Sequence, residues 1–280
     1  MNRTMMTATN TLNQLQGKID QISNNIANVD TTAYKKTQTS FNDLLTQSFN
    51  NQPRETKEKG RLTTPGIRQG TGAMISQSQL VLSQGDLKTT NRNLDAAFIQ
   101  EDQFFTVSVQ DNNGVNTRFT RDGAFYLSPS ANEQMMLVTS AGYQVLDENG
   151  EPIFIEGNIK DIKITENGLL IVDTEEYGEK SFGLGIVSVK KPQFLDRLGG
   201  NLFGLPDKMN ALGITEEDIM TSLTEDSRNR AAVRQGTLES SNVDLSKEMT
   251  DLINVQRSYQ FQSRAVTMSD QMSGLVNGIR

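Results

Sequence analysis

The sequence predicts an α+β protein in which a long helix at each end of the chain flanks a central, antiparallel β-rich domain. Two observations support this prediction. Near both ends, apolar residues recur at alternating steps of three and four, which is the a/d pattern of a coiled-coil helix. From about residue 80 onward the apolar period changes to two, which is the period of strands that bury one face.

The N-terminal part, residues 1–36, is predicted to hold a helix from about Thr4 to about Val29. Polar residues fill the positions between the apolar ones, so the helix has a single apolar face. The polar and partly β-branched residues at 30–32 end it. The apolar stripe consists of Met5, Ala8, Leu12, Leu15, Ile19, Ile22, Ile26 and Val29.

Residues 37–79 are predicted to be a linker that contains one short helix. Phe41, Leu44, Leu45 and Phe49 have helical spacing, which favours a helix from about residue 39 to residue 50. The stretch that follows, residues 51–60, is charged and contains proline and glycine, which interrupt regular structure.

Residues 80–230 are predicted to form the β-rich domain. Pairs of apolar runs flank the turn sequences DNNG at 111–114, SAG at 140–142 and ENG at 166–168, and each arrangement predicts a hairpin. A short helix is expected near residues 214–224, because Thr215 can cap it and acidic residues follow in its first turn.

The C-terminal part, residues 231–280, is predicted to carry the second coiled-coil helix. A less regular stripe of Leu245, Met249, Leu252, Val255 and Tyr259 precedes a regular one of Phe261, Ala265, Met268, Met272, Leu275 and Ile279. The regular period favours pairing between copies, and an antiparallel pair within one chain is the alternative. The expected assembly interface comprises Leu12, Leu15, Ile19, Ile22, Ile26, Val29, Leu245, Met249, Leu252, Tyr259, Met268, Met272, Leu275 and Ile279.

Composition argues against several classes of function. The 27 basic and 34 acidic residues give a net charge of −7 without a basic block, which argues against nucleic-acid binding. The chain has no Cys and no His, and its acidic residues cluster in turns, so we expect no enzyme activity, no metal site and no cofactor. We also expect no membrane span and no cleavable secretory signal, because no apolar run has the required length.

Two runs of sequence carry a family resemblance. The run SNNIANVDTTAYK at residues 23–35 resembles the N-terminal signature of bacterial flagellar axial proteins, the family of rod and hook subunits. The run GTLESSNVDL at residues 236–245, with the positions that follow it to residue 260, resembles the second hallmark. Ala33 stands where the signature has Gly, so that turn either avoids positive φ or is strained. The matching signature residues are Asn24, Asn25, Ala27, Asn28, Thr31, Tyr34, Lys35, Asn242, Asp244, Gln256 and Arg257.

Within this family the length and the central segments resemble the distal rod type. The resemblance implies a structural subunit that polymerises with its own copies into a helical tube, the basal-body rod that transmits torque to the hook. It also implies contacts with other rod and hook proteins and with the flagellar type III export apparatus, and a place outside the cytoplasm after export without a cleaved signal. A hook-type or other axial paralogue, a cell-wall hydrolase on the same scaffold and a non-flagellar coiled-coil adaptor remain alternatives.

Overall fold

The computed structural model describes residues 2–43, 47–49, 67–70, 72–111, 114–130, 134–206, 213, 215–224 and 227–278. Two long helices, α1 (Asn2–Ala27) and α3 (Leu245–Gly278), lie at the two ends of a chain whose middle is built mainly of strands. The predicted α+β class is therefore confirmed. The chain forms two compact units: unit 1 contains Met1–Ile26, Thr37–Gln79 and Leu245–Arg280, and unit 2 contains Ala27–Lys36 and Leu80–Asp244.

In unit 1 a two-stranded ribbon packs along α1. It pairs β1 (Thr37–Asp43) with β4 (Ala73–Leu80). Side chains of α1 bond the ribbon directly: the Gln14 Oε1 atom accepts from the Ile75 backbone N–H at 2.8 Å, and Gln21 accepts from the Thr39 hydroxyl at 2.6 Å. A second strand pair joins β2 (Gln47–Phe49) and β3 (Ile67–Gln69).

The helix predicted between residues 39 and 50 is wrong in the described part of that segment, because residues 39–43 and 47–49 are strands. Thr37–Asp43 is rich in Thr and Ser, which are poor helix formers, and the polar side chains of α1 supply hydrogen bonds to its extended backbone. Leu44 and Leu45 lie outside the described residues.

Unit 2 is an antiparallel β structure with one large sheet. Ten strands form this sheet, with the path β12-β10-β11-β7-β8-β18-β17; β9 pairs with β10, and β16 joins β7 to β19. Three further sheets are β13-β14-β15, β20-β6 and β21-β5. The strands are β5 (Leu87–Thr89), β6 (Ala96–Phe98), β7 (Gln103–Asp111), β8 (Gly114–Thr120), β9 (Phe125–Pro129), β10 (Gln134–Thr139), β11 (Gln144–Val145), β12 (Phe154–Glu156), β13 (Ile159–Ile164), β14 (Leu169–Thr174), β15 (Gly178–Gly183), β16 (Ile186–Val189), β17 (Asp196–Gly199), β18 (Leu202–Gly204), β19 (Met220–Ser222), β20 (Val233–Gln235) and β21 (Thr237–Glu239).

The three predicted hairpins are confirmed. Strand β7 pairs with β8, β10 with β11 and β13 with β14, all antiparallel. In the second and third turns Gly142 and Gly168 have φ values of 85° and 74°, which glycine adopts without strain. Residues 112 and 113 of the first turn lie outside the described residues.

The core of unit 2 lies on both faces of β7. Phe105 packs against Phe98 and Phe125, with ring centroids 4.2 and 5.0 Å apart, in the larger apolar cluster. Its neighbour Phe104 belongs to a second cluster and contacts the ring of Phe203 at 5.5 Å. Adjacent residues of a strand point to opposite faces, so β7 is buried on both sides.

A short helix, α2 (Glu216–Ile219), lies in the segment where one was expected near residues 214–224. Thr215 caps it, because the Thr215 backbone N–H and hydroxyl both donate to the Asp218 carboxylate at 3.2 and 2.9 Å. The chain then continues at once as strand β19. Single turns of 3-10 helix lie at Pro192–Phe194 and Arg228–Arg230.

Candidate assembly surface

The two long helices of unit 1 pack against each other within the chain and run antiparallel. Asn25, near the end of α1, donates to the carboxylate of Glu248, near the start of α3, at 3.3 Å. Towards the other end of the pair, Thr11 of α1 borders the same shallow hollow as Gln262 of α3. Residue numbers therefore rise along one helix as they fall along the other.

The contact between these helices is apolar, and the residues in it come from the predicted stripe of α1 and the less regular stripe of α3. Leu15, Ile22 and Val255 are buried in one cluster. Partly buried residues pack around them: Ile19, Ile26, Leu252 and Tyr259. These predicted interface positions therefore belong to one apolar cluster inside a single chain.

The regular stripe of α3 lies outside the buried cluster of the helix pair, although Phe261 borders the same shallow hollow as Thr11 and Leu15. Phe261, Met268, Met272 and Leu275 are 73%, 62%, 59% and 66% exposed. At 3.6 residues per turn this stripe lies more than roughly 100° around the helix from the face that carries Val255. We call these four residues the outer stripe. Helix α3 therefore has one apolar face that is covered and a second that is open.

The remaining predicted interface residues fall in different places. Leu245 and Met249 are exposed at the start of α3. Leu12 is half-buried on α1, and Val29 is half-buried in the turn that follows α1, since that helix ends at Ala27. Ile279 lies outside the described residues.

The signature residue Asn25 fixes the path of the chain as it enters the ribbon. Its side-chain amide donates to the Thr37 carbonyl at 3.0 Å, and its side-chain oxygen accepts from the Thr37 N–H at 3.2 Å. With the bond to Glu248, this nearly fully buried side chain joins α1, β1 and α3. Its role in the structure is therefore to position three elements of unit 1.

The signature residue Lys35 belongs to a buried charge cluster in unit 2. Its ammonium donates to the carboxylate of Glu239 at 2.6 Å and to the carbonyl oxygens of Ser83 and Leu82 at 2.8 and 3.3 Å. The same carboxylate accepts from Arg121 Nε at 2.9 Å. We call Lys35, Arg121 and Glu239 the charge cluster.

Burial sets the electrostatics of the charge cluster. All three side chains are at most 1% exposed. Burial, assisted by the nearby Arg121 cation, lowers the pKa of Lys35 from 10.5 to about 8, and Glu239 acts in the opposite direction. The Arg121 guanidinium also donates to the carbonyl oxygens of Gln100, Glu101 and Gln103, so most of its donors are satisfied.

Two further signature residues hold the same region of unit 2. The Asn242 side chain accepts from the Lys36 N–H at 2.7 Å and donates to the carbonyl oxygens of Val81 and Ser83 at 2.8 and 3.0 Å. The guanidinium of Arg197 stacks over the ring of Tyr34 at 4.2 Å. The two signatures, far apart in sequence, therefore meet in one network.

The other signature positions are less enclosed. Thr31 donates its hydroxyl to the Asn28 side chain at 3.2 Å in the turn after α1. Ala33 has a φ of 57°, the left-handed conformation that the missing glycine would adopt freely. Asn24, Ala27, Asp244, Gln256 and Arg257 are exposed.

Sequence reasoning did not place Glu239 and Arg121 among the functional residues. Glu239 lies within the second of the two sequence runs that resemble the family, which was the available signal for it, but charged residues are normally assigned to the surface. In the part of the chain that the structure describes, no group of three or more acidic residues is placed to hold a metal ion. Neither long helix, over its described residues, is apolar enough to cross a membrane.

Comparison with known proteins finds relatives that match the whole length of the chain. Three protein-family models match: "Flagella basal body rod protein" at residues 5–35, "Flagellar hook protein FlgE/F/G D1 domain" at 98–172, and "Flagellar basal body rod FlgEFG protein C-terminal" at 234–279. The flagellar hook-basal body complex protein FlhP of Bacillus subtilis is 46% identical over 100% of both chains. The flagellar basal-body rod protein FlgG of Borreliella burgdorferi is 32% identical over 100% of this chain and 99% of its own.

The chain belongs to the flagellar basal-body rod and hook protein family. Its role is structural and not enzymatic, as these families indicate. The three residues of the charge cluster, Lys35, Arg121 and Glu239, each lie in a different one of the three matched regions. The cluster thus joins the three parts of the chain by which the family is identified.

Proposed function

We propose that this chain is a rod subunit of the distal type, which polymerises into the helical tube that transmits torque from the flagellar motor to the hook. Similarity to proteins named flagellar basal-body rod protein FlgG extends over the whole chain, at 32% identity in Borreliella burgdorferi and 31% in Bacillus subtilis. Its partners are further copies of itself and other rod and hook proteins.

The outer stripe is the observation that carries the assembly part of this proposal. Apolar side chains of this size are seldom left open along a whole helix face unless another surface covers them. Helix α1 covers α3 at Leu252, Val255 and Tyr259, and the outer stripe lies outside that cluster, so we assign its partner to a neighbouring subunit. A helical tube needs such head-to-tail contacts, which join unlike surfaces and do not close on a dimer.

In this proposal the predicted assembly interface divides into two surfaces with different roles. Leu15, Ile22 and Val255 hold unit 1 together inside each subunit. Met268, Met272 and Leu275, with Phe261, bind the next subunit, and a coiled-coil layer arises when subunits assemble. The exposed Leu245 and Met249 add a contact near the start of α3.

The route of the chain to its site is part of the same proposal. We place the subunit in the basal body outside the cytoplasm, after passage through the flagellar type III export apparatus without a cleaved signal. Absence of Cys agrees with this route, because no disulfide has to form or open during passage. The division into residues 1–36, 37–79, 80–230 and 231–280 remains a prediction about the parts of this subunit.

The experiment replaces the outer stripe in a strain that lacks the gene. M268D/M272D puts two charges on the open face of α3, and the matched control Q260D/Q271D puts the same two charges on a polar, exposed face of the same helix. We expect the first variant to reach the culture supernatant and to leave cells non-motile, and the control to swim.

Normal swimming of M268D/M272D contradicts the assembly role of the outer stripe. Retention of the variant in the cytoplasm shows that the stripe serves export instead. Images of basal bodies from the deletion strain then test the position in the axis. A structure that stops within the rod supports the distal rod assignment, whereas a complete rod without a hook supports the hook-type alternative.

A further inference from the structure

The last strands of unit 2 in sequence pair with the first ones. Strand β20 pairs with β6, and β21 pairs with β5. The backbone N–H of Ala33 donates to the Glu239 carbonyl at 2.8 Å. With Asn242, which bridges residues 36, 81 and 83, the segment 233–242 closes unit 2 over residues that precede it by more than 130 positions.

Among the described residues, Glu239 is the only one whose carboxylate bonds to the two cations of the charge cluster. Lys35 and Arg121 each reach a different oxygen of this carboxylate, at 2.6 and 2.9 Å. Their other hydrogen bonds go to carbonyl oxygens of residues 82, 83, 100, 101 and 103. Those carbonyl groups satisfy donors but carry no net charge.

A closed form of unit 2 without the segment 233–242 would therefore leave two like charges together without a bonded carboxylate. An uncompensated buried charge strongly destabilises a folded protein, and two cations also repel each other. The charge cluster thus opposes any closed form of unit 2 that lacks Glu239.

We infer that Glu239 is the closing counter-ion of unit 2, so that the β domain becomes stable only when the segment 233–242 has taken its place beside Lys35 and Arg121. As long as the C-terminal part of the chain has not taken its place in the fold, unit 2 stays open, even when most of its other strands are present. The use of this device during export rests on the proposed function, because a chain that leaves N-terminus first would complete unit 2 last at Glu239.

The test measures the folded-to-unfolded ratio of purified, full-length monomers by pulse proteolysis in urea, following the fragment that contains unit 2. E239Q keeps the size of the side chain but removes its charge, and its amide NH2 group can no longer accept one of the hydrogen bonds that Lys35 and Arg121 donate. We expect the ratio to fall by at least about 100-fold. The control E179Q, at an exposed position of β15, should stay within about twofold of the wild type.

A rescue experiment separates charge from packing. K35M removes one of the two cations, so the double variant K35M/E239Q should recover at least about tenfold of the loss that E239Q causes alone. This comparison remains valid if E239Q does not fold. The inference is overturned if E239Q lies within about fivefold of the wild type, or if K35M adds a further loss to E239Q. No assembly takes place in this assay, so its failure leaves the proposed rod function untouched.

Discussion

The buried ammonium of Lys35 predicts an unusual dependence of stability on pH. Its pKa is about 8 in the folded protein and near 10.5 in the unfolded chain. Between these values the unfolded chain binds more protons, so the free energy of unfolding rises with pH. The contribution of Lys35 is fully present above about pH 10.5 and is lost as the pH falls through about 8.

The size of this effect follows from the separation of the two pKa values. Each pKa unit corresponds to about 1.4 kcal/mol, so the contribution amounts to roughly 3 kcal/mol. The perturbation is K35M, which removes the titrating group and keeps a side chain of similar length. The assay is urea unfolding of wild type and variant between pH 7 and 10.5. The free energy of unfolding of the wild type minus that of K35M should rise by roughly 2–3 kcal/mol over this range, because the contributions of other titrating groups cancel in the difference.

The control for this measurement is Lys160→Met, which removes an exposed lysine of strand β13. Its difference from the wild type should stay flat over the same pH range. A flat difference for K35M as well would refute the reasoning, since it means that burial does not lower the pKa of Lys35. A difference that falls with rising pH would show that the ion pair with Glu239 outweighs burial.

Three further predictions concern the backbone and the helix pair. Ala33→Gly should raise the free energy of unfolding by about 1 kcal/mol, because it relieves a left-handed φ of 57°. Gly85→Ala should lower it by more than about 1 kcal/mol, because the added methyl group would collide with the Ser240 carbonyl oxygen. Ile22→Asp should reduce helix content measured by circular dichroism while unit 2 stays resistant to protease, because loss of the apolar contact costs roughly 1.5–3 kcal/mol before the charge is counted.

Each of these predictions has a result that contradicts it. If the Ala33→Gly variant is less stable in urea than the wild type, glycine at this turn does not raise the free energy of unfolding. Gly85→Ala with wild-type stability would show that the backbones at Gly85 and Ser240 can move apart without loss. Ile22→Asp that opens unit 2 to protease would show that the helix pair supports the β domain, and the exposed substitution Asn13→Asp on α1 is the matched control.

Local signals allowed much of the fold to be predicted. The stripe of α1 has one regular period and one apolar face, and Leu15 and Ile22 are buried as that face requires. The hairpins of β10 and β13 have glycines at the positions where the chain needs positive φ. Signals of this kind depend on residues that are close in sequence, so they survive without knowledge of the tertiary structure.

The ribbon of unit 1 could not be predicted in this way. Strand β1 finds its partner β4 about 30 residues further on. It also donates hydrogen bonds, from the Thr39 hydroxyl and the Thr37 N–H, to the side-chain oxygens of Gln21 and Asn25 of α1. The helical spacing of Phe41 with three later apolar residues was a local signal that these distant contacts overrode. Tertiary contacts commonly override weak local preferences in this manner.

The sequence also could not indicate which surface each stripe of α3 packs against. Two helical stripes run along this helix, and the predicted assembly interface took residues from both. The structure packs Val255, from the less regular stripe, against α1. Periodicity states which residues share a face, but it does not state which face meets which partner.

The charge cluster was missed for a related reason. Lys35 and Glu239 are 204 positions apart, and Arg121 and Glu239 are 118 apart. Taken one at a time, a lysine, an arginine and a glutamate are each expected at the surface, since such residues are almost never fully buried without a partner. Only the fold brings the partners together, and only then does the burial of each become possible.

The outer stripe explains how a rod made of this subunit could keep growing. A contact that joined like surfaces would cover the stripe of both partners, and growth would end at a dimer. In the proposed head-to-tail contact, the stripe of one subunit is covered by a different surface of the next. The subunit at the growing end therefore always presents a surface of the kind that the previous one used. The flexible side chains of Met268 and Met272 suit this repeated contact, because methionine adapts to surfaces that are not perfectly matched.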